Sequence, residues 1–105
     1  MNATPTWHDV APAEAFEPDV PKVVQIGDDR IAVFRLDDGF YAISDICTHE
    51  FALLSEGFCE EGRIECPLHQ ACFDIRSGKA LDEPAEIDLA TYPTRVEGGV
   101  VQFEF

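Results

Sequence analysis

Two short runs in this 105-residue chain carry side chains able to hold a metal: Cys47-x-His49 and Cys66-x-x-His69, with sixteen residues between them. Each run offers one thiolate and one imidazole. Together they supply two sulfur and two nitrogen ligands, a set that suits either a Cys2His2 zinc ion or a [2Fe–2S] cluster with histidines on one iron. The spacing favours the cluster. Zinc modules usually place two to four residues between their first two ligands, and a single intervening residue is too short for that habit.

The order C-T-H followed by C-P-L-H, with E-G-R-I-E leading into the second run and F-D-I-R-S-G-K following it, resembles the Rieske family. The resemblance covers nearly the whole chain and is nearest to the small ferredoxins that feed electrons to bacterial ring-hydroxylating oxygenases. It implies one [2Fe–2S] cluster, with Cys47 and Cys66 on a buried ferric iron and His49 and His69 on the outer iron that accepts the electron. Thiolates are anionic and stabilise ferric iron, whereas neutral imidazoles add no negative charge. Mixed ligation therefore raises the potential, into a range of about −150 to +300 mV. Pro67 stiffens the second run beside a ligand, and backbone N–H groups around the histidines are expected to donate to the sulfurs.

The remaining titratable residues add no second centre. His8 is the one histidine left over, and it reads as a packing or surface residue. A Rieske oxygenase needs a further mononuclear iron on two histidines and a carboxylate, which this chain cannot build. Cys59 and Cys72 read as small hydrophobes without a bond between them, and the four cysteines miss the plant-type C-x4-C-x2-C spacing. The acidic pairs Asp37-Asp38, Glu60-Glu61 and Asp82-Glu83 each adjoin a turn, where acids are common. No phosphate loop, Ser/His/Asp set or flavin fingerprint is present.

Holding two loops at one tip requires a rigid frame, and the pattern predicts an all-β one. Strands are expected over residues 7–10, 22–26, 30–36, 40–44, 57–60, 63–66, 73–75, 92–97 and 100–104, with one helical turn near 13–16 and turn signals at Gly27-Asp28-Asp29, Asp37-Asp38-Gly39, Glu61-Gly62 and Gly98-Gly99. Residues 51–54 read as loop or a single turn, and 82–88 as an acidic connection. Runs 22–26 and 30–36 are apolar on both faces, which suggests strands packed between sheets. Val101, Phe103 and Phe105 should share one face. This is a small antiparallel β-sandwich or barrel, the Rieske fold that the resemblance also implies. One domain is expected over residues 1–105, with the cluster-binding part at about 45–75.

Composition narrows the partners. Seven basic against twenty-one acidic residues give a net charge of −14, which argues against nucleic acid or an anionic membrane. The start of the chain lacks the basic and apolar runs of a signal peptide, and no stretch approaches membrane-spanning length, so a cytoplasmic monomer is expected. The resemblance implies a one-electron carrier, not an enzyme, placed between a flavin-containing, NAD(P)H-dependent ferredoxin reductase and the terminal Rieske oxygenase of an aromatic-hydrocarbon dioxygenase system. The alternative is a small Rieske-fold subunit of another redox complex such as a nitrite reductase, although such subunits commonly lack the ligands.

The respiratory-chain branch of the family differs at informative positions. It adds a cysteine to each ligand loop and joins them as a disulfide; the matching residues here are Ala52 and Leu68. Its serine and tyrosine after the second histidine are matched by Ala71 and Phe73. The resemblance thus implies fewer donors to sulfur and a low potential. Metal and acid-labile sulfide analysis should find two irons and two sulfides per chain, retained in Cys59→Ser and Cys72→Ser and lost in His49→Ala or His69→Ala. Zinc without sulfide would end this reading.

Overall fold

In the computed structural model, residues 6–47, 52–67, 71–81 and 87–105 are described. Among the described residues, ten strands run in the order β1 (Trp7–Pro12), β2 (Lys22–Ile26), β3 (Asp29–Leu36), β4 (Gly39–Ser44), β5 (Phe58–Glu60), β6 (Arg63–Glu65), β7 (Cys72–Asp74), β8 (Thr91–Tyr92), β9 (Thr94–Glu97) and β10 (Val100–Glu104), with 3-10 turns at Ala13–Ala15 and Leu54–Glu56. They form three antiparallel sheets, ordered β1-β10-β9, β2-β3-β4-β8 and β5-β6-β7. The expected all-β frame is therefore present.

Strand β3 explains why residues 30–36 are apolar on both faces. Side chains alternate along a strand. Ile31 and Val33 point to one core with Phe16, Ala42, Val101 and Phe103. Ala32, Phe34 and Leu36 point the other way, to a second core with Ile43, Leu54, Ile64, Phe73 and Ile75. The first core joins the four-stranded sheet to the terminal one. The second joins it to the small sheet β5-β6-β7, and it also contains Cys47 and Cys66. Truncating Phe34, which has no exposed surface, would cost about 3–5 kcal/mol.

One expectation is corrected. Residues 92–97 are not one strand, because Pro93 separates β8 from β9. β8 pairs with β4, while β9 pairs with β10, so the chain changes sheets at this proline. Proline has no N–H for a ladder, and its carbonyl instead accepts from the Glu104 N–H at 2.9 Å. Of the stretch 51–54, read as loop or a single turn, Ala52 and Leu53 lie outside the strands and a 3-10 turn begins at Leu54; Phe51 is outside the described residues, as is most of the 82–88 connection. The shared face of β10 holds, with Val101 and Phe103 fully buried and Phe105 at its open end.

The small sheet is tied back to the frame by Arg76, just after β7. Its guanidinium donates to Asp38 at 3.0–3.2 Å and to Asp37 at 3.0 Å in the β3–β4 turn, and lies over the Tyr41 ring. The hydrogen bond from Arg76 holds the Asp38 carboxyl below its ordinary range. The contribution of this clamp is therefore present above the ordinary carboxylate range and is lost as pH falls through the lowered value.

The approach to the second ligand run is tight at Gly57, between the 3-10 turn and β5. A Cβ at this position would collide with the Glu65 carbonyl oxygen, a backbone atom one residue before Cys66. Gly57→Ala should cost at least about 1 kcal/mol through overpacking, lowering the midpoint of thermal unfolding by roughly 4–8 °C or more. An unchanged midpoint would show that β5 has room to move away from β6.

Candidate metal centre

The two cysteine runs are built alike. β4 ends at Ser44, and after Asp45 the chain forms a bridge between Ile46 and Leu53. Within that bridge the Cys47 N–H donates to the Ala52 carbonyl at 2.9 Å. In the second run, Glu65 pairs with Cys72, and the Cys66 N–H donates to the Ala71 carbonyl at 2.7 Å. Each loop thus opens on a cysteine, closes on an alanine five residues later, and stands on a pair of residues seven apart.

Cys47 and Cys66 are 3% and 0% exposed and pack in the same apolar cluster with Ala52, Leu54, Ala71 and Phe73. No cysteine forms a disulfide. His49 and His69, together with Phe51 and Leu68, lie in the loops but outside the described residues. Among the described residues, no group of three or more His, Cys, Asp or Glu is placed to hold a metal. Two buried thiols in one apolar pocket, each opening a histidine-bearing loop, fit an iron–sulfur cluster. Soft sulfur donors need deprotonation, and a dry pocket favours a neutralising metal over a lone anion.

The spare residues behave differently from the two loop cysteines. Cys59, on β5, is half-buried, and its thiol is pushed up to about 11 by burial and by the nearby Asp19 charge. It remains protonated at neutral pH and makes a poor ligand. Cys72 lies in β7, not in the loop, and its Sγ is 3.9 Å from Glu65 Oε1. His8 stacks on Phe103 with ring centroids 5.4 Å apart, in the sheet that carries neither loop. Beside the loop cysteines, Pro67 is exposed and Leu53 is half-buried.

Sequence reasoning missed Asp45. It is the one charged side chain that is wholly buried among the described residues. Its Oδ1 accepts from the Ser55 N–H at 2.6 Å, and its Oδ2 accepts from the Ser55 hydroxyl at 2.9 Å and from Arg30 Nε at 3.3 Å. Its own N–H donates to the Arg30 carbonyl, and its carbonyl accepts from Leu54 N–H at 2.7 Å. The available signal was an acid between Ile43 and Ile46 just ahead of Cys47, where no turn is needed.

The Rieske [2Fe-2S] domain pattern matches residues 6–93. The chain is 41% identical over 96 residues to the anthranilate 1,2-dioxygenase ferredoxin subunit of Burkholderia cepacia, covering 91% of this chain and 89% of that one. Among solved structures it superposes on a chain of the complex of reduced oxygenase and oxidized ferredoxin in carbazole 1,9a-dioxygenase, with a TM-score of 0.88 and 35% identity over 92% of this chain and 91% of that chain. The ferredoxin of carbazole 1,9a-dioxygenase from Nocardioides aromaticivorans IC177 is similar, at TM-score 0.86 and 33% identity over 96% and 97% of the two chains. A putative NADH-dependent nitrite reductase small subunit from Mycobacterium tuberculosis shares less sequence, 25% at TM-score 0.83 over 98% and 97%. This chain belongs to the Rieske [2Fe-2S] family, and its cofactor is one [2Fe–2S] cluster.

Ala71 and Phe73, at the positions where the respiratory-chain branch carries hydroxyls, are both fully buried. A hydroxyl donor to sulfur stabilises the extra electron, so its absence keeps the potential low. If one such charge-assisted bond differs by about 1.5–3 kcal/mol between oxidation states, its loss is worth roughly 60–130 mV in a one-electron couple. Protein-film voltammetry should place the wild-type midpoint near the bottom of the Rieske range and find it raised in Phe73→Tyr and Ala71→Ser. A wild-type value well above zero would contradict this.

Proposed function

We infer that Cys47, His49, Cys66 and His69 hold the cluster and that the chain carries single electrons from a flavin-containing, NAD(P)H-dependent reductase to the terminal oxygenase of an aromatic-ring dioxygenase system. The observation that carries this reading is the pairing of two buried loop cysteines with a histidine supply that stops there. Only His8 remains in the sequence, and it is stacked on Phe103. The chain can hold one redox centre and lacks the residues for the mononuclear iron at which an oxygenase acts. When bound, the cluster supplies a one-electron couple that cycles at the histidine-ligated iron.

The residues around it divide the work. The buried cysteines and the apolar cluster exclude water from the sulfur side. The loop histidines would carry the electron between the cluster and a partner. Exposed Pro67 and half-buried Leu53 contribute to an apolar tip, to which Phe51 and Leu68 belong by sequence. The small sheet carries Glu65 at the end that leads into the second loop, and Glu60 and Glu61 at its opposite, β5–β6 end, within a chain of net charge −14. A partner with an apolar centre and a basic rim fits this surface. The protein acts as one Rieske domain, with residues 45–75 as its cluster-binding part, and works as a cytoplasmic monomer. No helix among the described residues is long and apolar enough to cross a membrane.

The role is tested by reconstitution. With a reductase and a terminal oxygenase of an aromatic dioxygenase system, the loaded protein should restore NAD(P)H-dependent product formation, and His49→Ala should not. Redox encounters bury little area, so charge should act mainly on the association rate. Second-order electron transfer should slow as salt rises, since screening acts over about 8–10 Å. A rate indifferent to salt would remove steering from the account.

A further inference from the structure

We propose that Asp45 is a positioning residue that also sets the potential: its buried carboxylate fixes the root of the Cys47 loop, and its negative charge disfavours the added electron. The proposal rests on the reading that Cys47 is a cluster ligand. Asp45 and Cys47 are two residues apart, so their Cα atoms are separated by no more than about 7 Å. Both side chains are buried, and the intervening Ile46 is bridged to Leu53.

The hydrogen bonds around Asp45 span the loop. The Leu54 N–H, the Ser55 N–H and the Ser55 hydroxyl all reach back to this one residue. They close residues 46–54 a second time, outside the Cys47–Ala52 bond. Arg30 ties the same residue to β3 through its carbonyl and its side chain. The position of Cys47 is thereby referred to the central strand of the protein, not to the loop alone.

All the side-chain partners donate, which suits an anion and not an amide. Their compensation of its charge is partial. Two come from uncharged Ser55, and the guanidinium of Arg30 makes a single contact at 3.3 Å with its side chain 30% exposed to solvent. A buried anion with partial compensation exerts its field inward, where no salt screens it. A unit charge about 10 Å from the electron, at an effective dielectric of about 20, changes the reduced-to-oxidised ratio by about tenfold. That is about 59 mV in a one-electron couple.

The test compares Asp45→Asn and Arg30→Gln by iron and sulfide content and by protein-film voltammetry. Both variants are expected to keep two irons and two sulfides per chain. Asp45→Asn should raise the midpoint by about the tenfold ratio given above. Arg30→Gln, which removes the opposing and partly exposed charge, should lower it by a smaller factor, about two- to threefold. Opposite signs are the signature of charge, since loosening the loop alone would move both variants the same way. An Asp45→Asn midpoint equal to wild type, or shifts of one sign in both variants, would overturn the proposal. If Asp45→Asn does not assemble a cluster, Arg30→Gln decides: a fall supports the proposal, and an unchanged or raised midpoint overturns it. A wild-type protein without a cluster would instead remove the ligand reading itself.

Discussion

Strand β3 must bury both of its faces, and that requirement shapes the rest of the molecule. Ile31 and Val33 need a sheet on one side, which the two ends of the chain supply together as β1, β9 and β10. Ala32, Phe34 and Leu36 need cover on the other, and the cysteine-bearing segment supplies it. The redox site is therefore not an appendage on a finished sandwich. Its apolar floor is the second face of the central strand, so filling the core and placing the two thiols are one packing problem. Core side chains packed at crystal-like density hardly move, which gives a carrier the fixed ligand geometry that rapid electron exchange requires.

Upon that floor, the two loops obey one rule twice. A cysteine N–H is bonded to the carbonyl five residues on, and a strand-like pair stands beneath it. The supports beneath the loops differ. The second loop rises from a regular hairpin, β6–β7, and is held by Gly57 on one flank and by the Arg76 clamp below. The first rises from the end of β4, where the described residues form a single bridge, and it depends on Asp45 and Ser55 for closure. The buried carboxylate sits at the loop with less backbone support.

Much of this was legible in the sequence because it is written in local chemistry. Ligand types and spacing name the site, Gly- and Asp-rich turns mark the hairpins, and double-faced apolar runs point to a strand between layers. Residues 22–26 and 100–104 appear as strands at the same limits in the structure. What was not legible depends on distant partners. Pro93 sits within a run that reads as one strand, and only the pairing of Tyr92 with Ala42 and of Thr94 with Phe103 shows the change of sheet. Asp45 looks like another of twenty-one acids until Arg30 and Ser55 are found beside it. The joint between small sheet and frame, Arg76 with Asp37 and Asp38, spans almost forty positions and has no local signal.

The central claim is that two of the three histidines and two of the four cysteines ligate one cluster. Pulsed electron paramagnetic resonance of the reduced protein, grown with 15N-histidine, tests it directly, because only nitrogen bonded to iron couples strongly to the unpaired electron. The account predicts two strongly coupled histidine nitrogens in the wild type, unchanged in His8→Ala. A spectrum with none, as all-thiolate ligation would give, or one altered by loss of His8, would contradict it.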